Sequence, residues 1–199
     1  MPCRQRISPV AASGTWNFVT AALLAATVVV AHGDAQVAPR LGEAGKDVLW
    51  LPTPEPMVDV MLDMARVTPR DVVIDLGSGD GRLVIAAAKR GARAIGIEYN
   101  ADLVELSRRR AATAGVGERA TFVRADLFQV DLSAATVITL FLNDDLNLKL
   151  RPRLLNLAPG TRIVSNTFSM GDWEPADIAS VERGCANWCT ALLWIVPRR

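Results

Sequence analysis

The sequence predicts an α/β fold: a doubly wound, mostly parallel sheet with helices on both faces and an antiparallel strand pair at its C-terminal end. Three observations carry this. Short β-branched runs alternate with helical stretches between Val72 and Asn166, the pattern of strand–helix–strand crossovers. The first run leads into a glycine-rich turn, Gly77-Ser78-Gly79-Asp80-Gly81, with a helical stretch behind it. Half of the 199 residues are apolar and 22% are charged, a composition that buries a core, at a length that suits one domain.

The elements follow in order. Thr53-Pro54-Glu55 opens a helix, with Thr53 as its N-cap, proline in the first turn and an early acid. Met57, Val60, Met61 and Met64 form its apolar face. After a turn at 68–71, Val72 to Leu76 is a buried strand. Arg82 to Arg90 is a helix, Ala92 to Glu98 strand two, and Asn100 caps a helix reaching Ala114. Thr121 to Arg124 is strand three, leading to Asp126, and Thr136 to Leu142 is strand four. A helical stretch from Asp144 to Leu157 is bent or split at Pro152. Arg162 to Asn166 is strand five, and 178–181 with 190–196 form the antiparallel pair.

The N-terminal region reads differently. Arg4 and Arg6 precede an apolar run of 14 residues from Phe18 to Ala31, and no acidic residue comes before Asp34. As a helix that run spans about 21 Å, short of the ~30 Å bilayer core. Residues 1–35 are therefore expected to be a signal peptide or a membrane anchor, with small residues Gly33-Asp34-Ala35 at a cleavage position. A mitochondrial leader is the alternative. Residues 36–50, punctuated by Pro39, Gly42 and Gly45, form a tether, and 51–199 is the folded domain. The expected location is thus the bacterial envelope, exported or anchored, or else the mitochondrion.

Composition excludes several chemistries. The one histidine, His32, lies in the leader, so the domain cannot run a Ser-His-Asp or Cys-His mechanism. Cys185 and Cys189 alone make no four-ligand structural zinc site, and no metal is expected. In a continuous strand these two cysteines would stand about 13 Å apart; across a tight turn they can bridge. The net charge of +1 provides no global field for nucleic acid. Arg108-Arg109-Arg110 is read as a solvated helix face rather than an anion site.

The glycine turn is the candidate site, because ligands of such sheets bind beyond the strands' carboxyl ends. No Gly-Lys-Ser/Thr follows it, so it is not a phosphate loop. Arg82 stands where the dinucleotide fingerprint needs its third glycine. Its glycines let a ligand approach the backbone, and its N–H groups are expected to be free at a helix N-terminus. Glu98, 17 residues past Gly81, ends strand two, where a carboxylate accepts two ribose hydroxyls. Asp126 after strand three is placed to take an adenine amino group. The pattern predicts an adenosine ligand without phosphates. Tyr99 either stacks beside the adenine or covers the sheet end.

From Val48 to Val196 the chain resembles class I, Rossmann-like S-adenosylmethionine (SAM)-dependent methyltransferases. Trp50-Leu51-Pro52-Thr53-Pro54, the run Asp75 to Arg82, and Phe141-Leu142 with Asn147 resemble one lysine-methyltransferase family. Its characterised members methylate the ATP synthase c subunit and the adenine nucleotide translocase of mitochondria, and it has many bacterial relatives. The segment Asn143-Asp144-Asp145 departs from that pattern. The resemblance implies SAM as cofactor, held by Asp75, Gly77, Ser78, Gly79, Gly81, Glu98, Tyr99 and Asp126. In that reading Asp75 supports the loop or reaches the methionine amino group.

It also implies in-line methyl transfer to a protein lysine, a membrane protein being one candidate acceptor. No Asn-Pro-Pro-Tyr-type segment follows strand four and no basic patch stands out, so no nucleic-acid partner is expected; the oligomeric state is open, with a monomer favoured. Phe141, Asn143 and Asp144 are the candidate catalytic residues. Phe141, Trp50 and Trp173 are expected to line a dry acceptor mouth, Asn143 to accept a hydrogen bond from the neutral amine, and Asp144 or Asp145 to orient substrate or cap the next helix. A small-molecule methyltransferase and a catalytically silent SAM-binding module are the alternatives.

Overall fold

The computed structural model describes residues 49–198. Eleven elements follow one another: α1 (Glu55–Met64), β1 (Val72–Leu76), α2 (Arg82–Lys89), β2 (Arg93–Glu98), α3 (Ala101–Thr113), β3 (Ala120–Arg124), β4 (Val137–Leu140), α4 (Asp144–Leu154), β5 (Arg162–Asn166), β6 (Asp177–Ser180) and β7 (Thr190–Ile195). The leader and all of the tether up to Val48 lie outside the described residues. Among the described residues no helix is long and apolar enough to cross a membrane.

The seven strands form one sheet in the order β3-β2-β1-β4-β5-β7-β6. The first five are parallel; β7 runs antiparallel to β5 on one side and to β6 on the other. The expected antiparallel pair is therefore real, but its second strand inserts beside β5 and leaves its first strand at the edge. Burial explains the order. Strand β7 contributes Ala191, Leu193 and Trp194 to the core, whereas β6 has no buried residue. The more apolar strand takes the inner position.

Alternation along the strands divides the core into two layers. Val73, Val137 and Val164 pack with Met57, Met61 and Leu62 of α1, Leu83 and Val84 of α2, and Val104 of α3. Ile74, Leu76, Ile138 and Ile163 pack on the other side with Leu146, Leu150 and Leu154 of α4 and with Trp194. The methionine face is core, as its helical spacing predicts.

Two helix ends differ from expectation. Pro54, not Thr53, is the N-cap of α1, and no side chain caps it. Thr53 is buried, and its carbonyl accepts a hydrogen bond from Arg82 Nη1 at 2.7 Å, which ties the segment before α1 to the glycine turn. Helix α4 is not split at Pro152; it runs through that residue and ends at Leu154, short of Leu157. Proline sits in the last turn, where little helix remains to be disrupted. Asn100 caps α3 as predicted, accepting from the Asp102 N–H at 2.8 Å.

Candidate active site

The site is built on one row across the sheet. Register places Phe122 of β3, Gly96 of β2, Asp75 of β1 and Thr139 of β4 side by side. Thr139 Oγ1 donates to Asp75 Oδ1 at 2.6 Å. Gly96 supplies no side chain, and a Cβ there would stand 2.6 Å from Ser78 Oγ. The glycine turn folds down into that gap.

Left-handed backbone at Gly77, Gly79 and Gly81, with φ of +78°, +53° and +80°, makes the turn, and each position is also crowded. A Cβ at Gly81 would meet Phe122 at 2.7 Å and Ser107 at 2.8 Å; one at Gly79 would meet Trp50 Nε1 at 2.6 Å. The turn's N–H groups are not free, contrary to expectation. Gly77 and Ser78 donate to the Ile97 carbonyl at 2.9 and 3.0 Å, Gly79 to Glu98 Oε2 at 2.9 Å, and Gly81 to the Ser78 carbonyl at 2.9 Å. Strand β2 fastens the loop, so it offers few bare amides to an anion, and its glycines let it pack closely on Leu142, Trp50, Phe122 and Ser107.

Behind the loop Asp80 is buried and paired with Arg82 and Arg110. Burial alone would raise its pKa; the two guanidiniums outweigh that and hold it below the ordinary carboxylate value. Arg110 is thus a clamp on the loop. Arg108 likewise pairs with Glu105 and donates to the Phe122 carbonyl. Asp75 behaves oppositely. Burial, joined by the charges of Glu98 and Asp80 and opposed by the Thr139 hydroxyl, pushes its carboxyl up to about 7.

The acceptor residues expected at the strand ends stand where the sequence places them. Glu98 closes β2, with Oε1 accepting from the Asn100 N–H at 2.8 Å and Oε2 from Gly79. Tyr99 follows, half exposed. Asp126 lies two residues beyond β3, and its Oδ1 accepts from the Phe128 N–H at 2.9 Å. Trp50 covers the loop. Trp50, Asp75, Gly77, Ser78, Gly79 and Phe141 line a cavity of about 20 Å³, room for about one water. Roomier hollows of about 470 and 520 Å³ lie between α1 and α2 and beside Met64 and Arg162, away from these acids.

A model of the ANTKMT methyltransferase domain family matches residues 75–177. The chain belongs to this family. It is a SAM-dependent methyltransferase. A protein-lysine N-methyltransferase of Saccharolobus islandicus is 41% identical over 152 residues, 75% of this chain and 94% of that protein. A human lysine N-methyltransferase of the ATP synthase c subunit is 33% identical over 163 residues, 80% of this chain and 69% of that one. A crystal structure described as an RNA methyltransferase of Salinibacter ruber, in complex with S-adenosyl-L-homocysteine, superposes with a TM-score of 0.70. It is 46% identical and covers 75% of this chain and 95% of its own.

The residues present fit SAM. Gly77 and Gly79 border the cavity without side chains, acids stand at three neighbouring strand ends, and two buried donors, Trp50 Nε1 and Ser78 Oγ, have no partner among the described residues. Buried polar groups are rarely left unpaired without reason, and these two border the cavity.

The other candidates divide. Phe141 lines that cavity and also meets Phe168, with ring centroids 6.1 Å apart, and Trp188, at 5.8 Å. Trp173 does not join them. It packs on the fully buried Trp194, whose Nε1 donates to the Trp173 carbonyl at 2.6 Å. Asn143 caps α4, its Oδ1 accepting from the Leu146 N–H at 2.9 Å. Asp144 Oδ1 accepts from the Ser169 N–H at 2.9 Å and the Ser169 hydroxyl at 3.1 Å, so it fastens the loop that carries Phe168. Cys185 and Cys189 are joined in a disulfide with Cα atoms 5.8 Å apart. Phe168, Trp188, Gly96 and Arg110 are the residues that sequence reasoning missed. Only Gly96, a glycine inside a strand, carries a local signal.

Proposed function

We propose that the methyl acceptor is a lysine ε-amine of a protein. The observation that carries this is the aromatic mouth of Phe141, Phe168 and Trp188 beside the cavity. Loss of the lysine proton at pH 7 costs about 4.6 kcal/mol from a pKa of ~10.4. An apolar aromatic surface disfavours the ammonium and lowers that cost. The lysine methyltransferases among the relatives support the same reading.

Bound SAM supplies an electrophilic methyl group on a sulfonium. The chain's own residues then have three tasks. Glu98 and Asp126 would hold the nucleoside, and Asp75, its ionised form favoured by a neighbouring ammonium, would take the amino-acid end. Trp50 and Phe141 exclude water from the reacting centre. Asn143 keeps one acceptor position on Oδ1 beyond its cap, which can hold the neutral amine. No general base is required, in keeping with a described domain without histidine.

A second reading, a nucleic-acid acceptor, rests on the Salinibacter ruber protein's description, and aromatic faces also stack bases. Against it, Arg82, Arg90, Arg108, Arg110, Arg151 and Arg162 are all engaged with carboxylates, which leaves them poorly placed to bind phosphates. The leader further supports a position at or beyond a membrane, with a membrane protein as acceptor. Purified enzyme with methyl-labelled SAM should label protein in a mixed extract, with N-methyllysine recovered after hydrolysis. Label confined to RNA, or to small metabolites, overturns the reading in favour of that acceptor.

A further inference from the structure

The loop between β6 and β7 carries Trp188 of the mouth, and several features single it out. It is closed on itself by the Cys185–Cys189 disulfide, with Trp188 inside the ring. Trp188 sits at φ +57°, and Thr167, just before Phe168, at φ +65°. Bulky and β-branched side chains seldom adopt that conformation, and where it persists at a site the surroundings must enforce it. The enforcing groups are visible. Asn147 Nδ2 donates to the Phe168 and Ser169 carbonyls at 3.1 and 3.2 Å, and the disulfide holds the other loop. The Val181 N–H also donates to the Cys189 carbonyl at 2.9 Å. Both loops thereby bring one aromatic ring against Phe141, the residue that borders the glycine turn. Trp188 meets it edge-on, at 62° between planes, and remains 37% exposed. An indole so placed presents a face toward whatever approaches Phe141 from solvent.

We propose that Trp188 is an acceptor-binding residue and that the Cys185–Cys189 disulfide is its positioning device. The indole face takes the long alkyl stem of the incoming lysine, whose methylenes pack on apolar surface. Trp188 touches the acceptor and not the cofactor. The disulfide acts only through Trp188, by holding its backbone in the left-handed region. The inference rests on the lysine reading above.

The test uses the full, oxidised chain with labelled SAM and nuclease-treated total protein extract as acceptor. Initial rates are measured against extract concentration, and SAM affinity by titration calorimetry. Trp188→Ala should raise the apparent KM for extract at least tenfold and leave SAM affinity within twofold of the parent. Trp188→Phe should recover most of that loss. The pair Cys185→Ser/Cys189→Ser should raise the apparent KM in the same direction, and so should a dithiol reagent, which reduces the cystine to two thiols as it is oxidised to its own disulfide. In the Trp188→Ala background the serine pair should add nothing, because coupled residues are not additive. An unchanged KM for Trp188→Ala, a parallel loss of SAM affinity, or additive effects of the two changes overturns this inference while N-methyllysine from the parent enzyme still upholds the lysine reading. Absence of N-methyllysine from the parent's products overturns both.

Discussion

Replacing Asp75 with asparagine should make the protein more stable at pH 8 than its parent and flatten its stability against pH. Asp75 is wholly buried, and its carboxyl titrates near 7 in the folded chain against 3.8 for the ordinary side chain. A raised carboxyl pKa means that the folded state binds the proton more tightly than the unfolded one. Stability is therefore undiminished below about 3.8, falls as pH rises through the interval to about 7, and stays lower above it. At 1.36 kcal/mol per pH unit, the parent should lose about 2–3 kcal/mol between pH 5 and 8 through this group. Asparagine carries no charge, yet its Oδ1 still accepts from the Thr139 hydroxyl, so the variant escapes the loss. Other titrating groups, His32 among them, are shared and cancel in the difference. Urea unfolding of both proteins at pH 5, 6, 7 and 8 measures it. Parallel stability profiles would refute the reasoning. The same substitution should weaken SAM binding if Asp75 meets the cofactor's ammonium, and parent affinity should then rise with pH through 7 as the carboxyl ionises.

Glu98→Gln keeps one acceptor but loses the charge; since charge-assisted hydrogen bonds contribute about 1.5–3 kcal/mol each, SAM affinity in titration calorimetry should fall at least tenfold, and an unchanged value removes Glu98 from the cofactor site. Gly81→Ala forces a Cβ at φ +80° to within 2.7 Å of Phe122; a loss of at least about 2 kcal/mol is expected in urea melts, and a melt matching the parent contradicts the crowding. Asn143→Ser should retain the α4 cap, whose loss in Asn143→Ala costs about 1 kcal/mol, yet both variants should lower turnover more than SAM affinity; full turnover in the serine variant leaves Asn143 only its cap. A fusion of residues 1–45 to a reporter that works only outside the cytoplasm should be active, and a soluble cytosolic fusion with an intact N-terminus counts against the leader.

Much of the fold was legible because its signals are local. Val72 to Leu76 is β-branched and continuous, and it is β1 to the residue. Asn100 caps α3, and the glycine turn lies between β1 and α2, as the chain order implies. Glu98 and Asp126 needed only strand ends to be placed. What failed depends on partners distant in sequence. Thr53 has the right chemistry for a cap, but its segment is drawn to Arg82 instead. The loop amides looked free because nothing in 77–81 shows that β2 will bind them. Trp173 and Trp188 carry the same local signal; one is paired with Trp194 and the other is brought to Phe141 by a disulfide-closed loop. Register assigns such partners, and the position of β7 between β5 and β6 depends on comparative burial that a single strand does not reveal.

The acceptor is the central claim, and one measurement reaches it directly. Membrane and soluble proteins from a strain that carries this chain and from one that lacks it are digested and compared by mass spectrometry for lysine peptides that differ by a methyl mass. The lysine reading predicts at least one such peptide, present only with the chain. It further predicts that purified enzyme restores the mark on the folded protein more readily than on the isolated peptide. Identical lysine peptides in the two strains, together with a methylated nucleotide or metabolite found only when the chain is present, would contradict it.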